Sequence, residues 1–228
     1  VGEPDFVTPW AVREAAIYSL ERGQTTYSSN YGLLELRKLL AENLRGLYGV
    51  QYAPEDEILV TVGVSEGMDL AMRAILDPGD EVIVPEPCYV SYKPCVLLSG
   101  GVPVVVKTTA ETNFELSMQA IERAATPKTK AILLGYPSNP TGATLPRNQL
   151  IDIVKLAKSR GWYIVSDEIY ARLTYEGEHN CVAALPGARD ITILLNGFSK
   201  AYAMTGWRLG YACAPRDILT AMMRIHSY

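Results

Sequence analysis

Lys200 is the residue of this chain whose surroundings best suit covalent chemistry. It follows the apolar segment at residues 191–195 and the short run Asn-Gly-Phe-Ser, and Arg208 stands eight positions further on. A lysine placed just past a buried strand, with a cation nearby, can lose its proton because desolvation and a like charge both disfavour the ammonium form. The neutral amine can then attack a carbonyl carbon. Lys200 is therefore predicted to form a Schiff base, although a lysine taken alone is more commonly a solvated surface charge.

In three further segments, an apolar, strand-like run is followed by polar residues. Residues 163–170 run into Asp167, Glu168 and a phenol, residues 131–142 stop at a turn of Asn, Pro and Gly, and residues 57–67 pass through glycine and serine into a helix. Open α/β sheets bind ligands at the carboxyl ends of their strands, and a helix N-terminus offers free N–H groups to an anion. The structural alternatives are a helix N-cap for Asp167 and a plain turn at residues 139–142.

Strand-like runs rich in Val and Ile alternate with helix-like periodic segments along the chain. This alternation predicts βαβ units and a mainly parallel sheet. Strands are predicted at residues 58–62, 81–85, 102–107, 130–135, 162–166, 191–195 and 209–213. Helices are predicted at residues 9–21, 32–48, 65–76, 89–99, 116–125, 146–160 and 215–227.

Together these segments resemble the class I/II aminotransferase family of fold-type I pyridoxal-phosphate enzymes. The motifs occur in the family's order over essentially the whole chain: Gly-Glu-Pro-Asp-Phe at residues 2–6, Thr-Tyr at 26–27, Asp-Pro-Gly-Asp-Glu-Val at 77–82, Pro-Cys-Tyr at 87–89, Asn-Pro-Thr-Gly at 139–142, Ser-Asp-Glu-Ile-Tyr at 166–170 and Ser-Lys at 199–200. The resemblance implies a three-layer α/β/α fold with about seven strands, in which residues 1–228 are the cofactor-binding large domain. It also implies that the family's N-terminal arm and small C-terminal domain, with the arginine for the substrate carboxylate, lie outside this chain.

The resemblance implies roles for four residues around the ring of pyridoxal 5′-phosphate. Lys200 would form the Schiff base and then move a proton between the substrate Cα and the cofactor. Asp167 would pair with the pyridine nitrogen, so that the ring can take up electrons. Tyr170 and Asn139 would hydrogen-bond the phenolate oxygen, and Asn139 would also contact the substrate carboxylate.

The remaining residues that the resemblance assigns surround the phosphate and the open side of the ring. Val64 and Ser65 at the helix N-terminus, together with Ser199 and Arg208, would hold the phosphate, and Tyr27 would reach it across a dimer interface. The ring of Tyr89 would stack on the pyridine face, and Gly2 would contact the substrate carboxylate. As structural alternatives, Tyr89 and Tyr170 are packing aromatics, Tyr27 is an ordinary surface or interface tyrosine, and Val64 with Ser65 is a plain helix start.

The implied activity is amino transfer between an L-amino acid and a 2-oxo acid, carried out by a homodimer. A carbon–sulfur β-lyase on the same fold is an alternative, as is the cofactor-sensing domain of a transcription regulator, for which the sequence shows no DNA-binding domain. Bacterial aspartate enzymes often carry Gly-Lys where this chain has Val64 and Ser65. Aromatic, alanine-like and diaminopimelate-type donors therefore stay open beside aspartate.

Composition argues against several other classes of protein. The formal net charge is −4 and no basic run exceeds a pair, so nucleic acids and membrane surfaces are not expected as partners. No apolar run is long enough to span a membrane and no signal peptide is visible, which predicts a cytoplasmic protein. The four cysteines lack CxxC spacing, and with only two histidines no metal site is predicted.

Overall fold

The computed structural model describes residues 2–228 and places helices on both faces of a seven-stranded sheet. The strands are β1 (Ile58–Val62), β2 (Glu81–Glu86), β3 (Val102–Lys107), β4 (Thr129–Gly135), β5 (Tyr163–Asp167), β6 (Thr192–Gly197) and β7 (Leu209–Cys213). The helices are α1 (Trp10–Glu21), α2 (Leu34–Tyr48), α3 (Gly63–Ile75), α4 (Tyr92–Leu98), α5 (Met118–Ala124), α6 (Arg147–Arg160) and α7 (Arg216–His226). The predicted three-layer α/β/α fold is confirmed.

The strand order across the sheet is β1-β7-β6-β5-β4-β2-β3. Strand β7 runs antiparallel to both of its neighbours, β1 and β6, and every other pair is parallel. Six strands therefore point the same way, as a mainly parallel sheet requires. Their carboxyl ends meet at one edge, so the residues that follow β1, β4, β5 and β6 are brought together although they are far apart in sequence.

The sheet is buried on both faces, which explains its continuous apolar runs. In β4, Leu133 packs into the cluster formed with α3, α4 and α7, whereas Ile132 and Leu134 pack into the opposite cluster with α5 and α6. Side chains alternate between the two faces of a strand. Because both faces are covered, the polar residues at the carboxyl edge are held on a rigid, fully packed support.

The predicted strands and helices agree with the structure to within three residues at each end. The largest difference is at α4, which was predicted to begin at residue 89 but begins at Tyr92. Pro94 explains the shift, because proline is tolerated in the first turn of a helix but would lose a hydrogen bond and clash in the second. Tyr89 consequently lies in the turn before α4. Within residues 2–228, no helix has the length and apolar character needed to cross a membrane.

Candidate functional site

A cavity of about 690 Å³ lies at the carboxyl edge of the sheet, a size typical of sites for small ligands and cofactors. Ten of the eleven residues singled out from the sequence line it: Gly2, Val64, Ser65, Tyr89, Asn139, Asp167, Tyr170, Ser199, Lys200 and Arg208. The eleventh, Tyr27, does not line it and is fully exposed. The predicted role of Tyr27 across an interface stays a prediction.

One end of the cavity is built to hold an anion. Strand β1 passes into α3 through Gly63, whose φ of +71° lies in the left-handed region that favours glycine. A Cβ on Gly63 would stand 2.5 Å from Arg208 Nη2, so the guanidinium group lies against the start of the helix. The N–H groups of the first helical turn lack partners within the helix, and the nearby Ser199 is largely buried. Together these donors suit a phosphate-like dianion.

Asp167 supplies a buried carboxylate at the end of β5. Its Oδ1 accepts the N–H of Ile169 at 3.2 Å, and its Oδ2 accepts the hydroxyl of Tyr92 at 2.9 Å. Burial raises the pKa of Asp167 to about 6 with a further contribution from the charge of Glu168, although the two hydrogen bonds act in the opposite direction. Within residues 2–228 Asp167 makes no ion pair. A cationic group in the cavity would therefore stabilise its ionised form.

Tyr92 is a site residue that the sequence reasoning missed. It is 6% exposed, lines the cavity and donates to Asp167. Burial and the neighbouring Asp167 raise its pKa well above that of an ordinary phenol, so it acts as a neutral donor. The signal was its spacing three residues after Tyr89, and the two rings meet edge to face at 5.8 Å. A side chain on Gly135 would collide with the Tyr92 hydroxyl, so glycine there makes room for the contact.

Lys200 and Tyr170 line the cavity together with Asn139. Lys200 Nζ donates to the carbonyl oxygen of Gly2 at 2.6 Å and lies 5.8 Å from the centre of the Tyr170 ring. Asn139 Nδ2 donates to Tyr170 Oη at 3.5 Å. Burial raises the pKa of Tyr170, and Asp167 adds to the effect. An amine, a neutral phenol and an amide thus line the same cavity as the buried carboxylate, an arrangement that can bind a polar ligand.

Within the part of the chain that the structure describes, no group of three or more His, Cys, Asp or Glu side chains could hold a metal ion.

The sequence and the fold of this chain are similar to those of proteins named as aminotransferases. The family model described as aminotransferase class I and II matches residues 1–228. A Bacillus subtilis relative whose name carries the word aminotransferase, YugH, is 51% identical over 228 residues, which are 100% of this chain and 59% of that protein. The aspartate/prephenate aminotransferase of Thermus thermophilus is 46% identical over 226 residues, or 99% of this chain and 58% of that protein.

A solved structure described as the aromatic aminotransferase of Pyrococcus horikoshii superposes with a TM-score of 0.98 at 41% identity. The superposition covers 100% of this chain and 61% of that one. The chain therefore spans about three fifths of the length of the relatives it matches.

Proposed function

The chain belongs to the class I and II aminotransferase family, and on that basis we propose that it is the cofactor-binding domain of a pyridoxal-phosphate-dependent aminotransferase. The observation that carries the proposal is the single cavity that gathers Lys200, the buried Asp167 and the anion-binding start of α3. The shared fold supports it, and so do the names of the relatives. Because the chain spans about three fifths of those relatives, the small domain and the activity of the whole protein are part of the proposal.

The residues present fit pyridoxal 5′-phosphate at three points. When bound, the cofactor supplies a carbonyl carbon that binds amines and a ring that takes up the electron pair released at the substrate Cα. Its phosphate matches the donors at the start of α3, where the space beside Gly63 is filled by the guanidinium of Arg208. Its ring nitrogen matches Asp167, whose raised pKa marks a carboxylate that a cation would stabilise. Its carbonyl group matches the amine of Lys200.

We assign the following work to the chain's own residues. Lys200 Nζ would hold the cofactor through its carbonyl carbon, with release of water, and would move a proton at the substrate Cα. Asp167 would hold a proton on the ring nitrogen, and Tyr92 orients Asp167 by donating to its Oδ2. Tyr170 and Asn139, which contact each other at 3.5 Å, donate to the oxygen substituent of the ring. Such preorganised donors act without rearranging as charge develops.

Three further groups complete the cofactor's surroundings in this proposal. Tyr89, which lies in the turn before α4 and lines the cavity, covers one face of the ring. Ser199 and the N–H groups of Val64 and Ser65 join Arg208 at the phosphate. Gly2 and Asn139 contact the substrate carboxylate.

We further propose that the whole protein acts as a homodimer in the cytoplasm. Exposed apolar side chains close to the start of the chain support an interface there, because large apolar groups on a monomer's surface commonly mark a contact. They are Phe6, Val7, Trp10 and Tyr27. In this arrangement Tyr27 reaches the phosphate of the partner's site. All four cysteines are free, in keeping with a reducing compartment.

An amino-exchange assay on the full-length protein tests the proposed activity. The protein is loaded with pyridoxal 5′-phosphate and given one amino donor at a time, aspartate or an aromatic amino acid, with 2-oxoglutarate as acceptor. We expect glutamate to accumulate with at least one donor, and Lys200→Ala to abolish the exchange. Lys155→Ala is the matched control, since Lys155 is an exposed lysine on α6. Release of pyruvate and ammonia from a sulfur-containing amino acid, with no exchange, would instead identify a β-lyase.

A further inference from the structure

A second buried carboxylate lies directly behind Asp167. Glu168 is the next residue in the chain and is 1% exposed, yet it does not line the cofactor cavity. Its Oε1 accepts the hydroxyl of Ser166 at 3.1 Å and the N–H of Val182 at 2.9 Å. Its Oε2 lies 2.6 Å from His179 Nε2. An ionised carboxylate can only accept hydrogen bonds, so in this contact the imidazole is the donor.

The backbone of Glu168 is held as firmly as its side chain. Its N–H donates to the carbonyl oxygen of Leu195 in β6 at 2.8 Å, and its carbonyl oxygen accepts the N–H of Ala171 at 2.9 Å. Asp167 precedes Glu168 and Tyr170 follows two residues later, and both line the cavity. A displacement of Glu168 would therefore move two cofactor-facing residues at once.

His179 is the one basic side chain within ion-pair distance of Glu168 in residues 2–228. Besides Asp167, the charge of Glu168 acts on the phenols and thiols Tyr48, Tyr52, Cys181, Tyr211 and Cys213. Burial is the first cause that raises the pKa of each of them, so they are neutral and cannot compensate the charge. Arg172 influences Tyr48 without pairing with Glu168, and Glu176 and Glu178 share a neighbouring cavity with His179.

Loss of the donor at His179 would leave an uncompensated carboxylate beside Asp167. Burial is the main reason that the pKa of Asp167 is raised, and the charge of Glu168 raises it further. Two neighbouring carboxylates resist being ionised together, most strongly where water is excluded. The protonated, neutral form of Asp167 would then predominate, and it would attract a cationic ring nitrogen far less.

We propose that His179 is a positioning residue for the cofactor: by holding and compensating Glu168, it keeps Asp167 ionised and directed at the ring nitrogen. This inference rests on the proposed function, because it assumes that Asp167 faces the cofactor's ring nitrogen. It predicts an effect confined to ligands that carry that nitrogen. If His179 had a purely structural role, its replacement would weaken the binding of every ligand of the cavity equally.

The test compares two cofactors on the full-length protein. Dissociation constants are measured for pyridoxal 5′-phosphate and for its deaza analogue, in which carbon replaces the ring nitrogen. His179→Phe removes the donor but keeps a ring against Tyr48, which His179 meets edge to face at 5.8 Å. His179→Phe combined with Glu168→Gln removes the stranded charge as well. Arg189→Met is the control, because it breaks a different half-buried pair, that of Arg189 with Glu57 at 2.5 Å, outside the cavity.

We expect His179→Phe to weaken binding of pyridoxal 5′-phosphate by about tenfold or more, by analogy with the loss observed when the hydrogen-bond partner of a metal ligand is removed. Binding of the deaza analogue should stay unchanged, and the double variant should recover most of the lost affinity. His179→Gln, whose amide still donates, should lose less than His179→Phe. The control should bind both cofactors as the parent does.

Equal losses for both cofactors, or no loss for either, would overturn the inference, as would a double variant that is no better than His179→Phe. A parent protein that fails to bind pyridoxal 5′-phosphate would give a different pattern from all of these. That result would contradict the proposed function itself, and the inference would fall with it.

Discussion

Replacing Asp167 by asparagine is expected to stabilise the protein when it is free of cofactor. Asp167 is 7% exposed and its pKa is raised from 3.8 to about 6, with burial as the first cause. A raised pKa means that the folded protein binds the proton more tightly than the unfolded chain does. The contribution of Asp167 to stability is therefore greatest below pH 3.8 and is lost as the pH rises through about 6.

The size of this effect follows from the shift. The pKa of Asp167 differs by about two units between the folded and the unfolded chain. Ionisation of Asp167 therefore lowers the free energy of unfolding by about 3 kcal/mol above the folded-state pKa, and by about 1.6 kcal/mol near pH 5. Asparagine has nearly the same shape as aspartate and carries no charge to desolvate. It can accept only one of the two hydrogen bonds that Asp167 accepts from Ile169 and Tyr92, which costs about 1 kcal/mol. The expected net gain for Asp167→Asn near neutral pH is about 2 kcal/mol.

Urea unfolding of the cofactor-free parent and of Asp167→Asn tests this reasoning at two pH values. The difference in the free energy of unfolding between the two proteins should grow by about 1.4 kcal/mol between about pH 5 and about pH 7.5. With pyridoxal 5′-phosphate added, the order should reverse, because the parent gains the contact with the ring nitrogen. A difference that does not change with pH, or a variant less stable at every pH, would refute the account of Asp167.

Three further substitutions probe the same cavity. Tyr92→Phe removes the hydrogen bond to Asp167, so cofactor affinity from a spectroscopic titration should fall about tenfold, and more at lower pH. Arg208→Lys keeps the charge but loses the planar guanidinium group, which can donate two parallel hydrogen bonds to a phosphate. It should therefore weaken the binding of pyridoxal 5′-phosphate about tenfold or more in the same titration, and leave the binding of pyridoxal, which lacks the phosphate, unchanged. Gly63→Ala strains a residue at φ +71° and places a Cβ 2.5 Å from Arg208 Nη2. It should lower the free energy of unfolding by about 1–3 kcal/mol in urea titrations, whereas Gly46→Ala, with nothing within 4 Å of the new Cβ, should not.

The layers of the fold could be predicted from the sequence because the sheet is covered on both faces. Parallel strands buried on both sides appear as continuous apolar runs, and residues 131–134 are such a run within β4. The antiparallel direction of β7 could not be predicted, since an apolar strand carries no mark of its direction. The start of α4 was open to prediction, because Pro94 restricts where that helix can begin.

The part of the site that follows strand ends could also be predicted, because the carboxyl ends of parallel strands converge. Asp167 is the last residue of β5, Asn139 follows β4 and Lys200 follows β6, and all three line one cavity. The supporting contacts could not be predicted in this way. Tyr92 meets Asp167 across 75 positions of the chain, and its aromatic ring fits equally well in an ordinary core. His179 reaches Glu168 through a loop, whose path the pattern of apolar residues does not determine.

Chemical trapping of the bound cofactor tests the central claim most directly. The full-length protein is loaded with pyridoxal 5′-phosphate, treated with borohydride so that a covalent link between amine and carbonyl becomes permanent, digested, and analysed by mass spectrometry. We expect the cofactor to be attached to Lys200, and Lys200→Ala to lose the attachment while Lys155→Ala keeps it. Attachment at another lysine, or none in the parent protein, would contradict it.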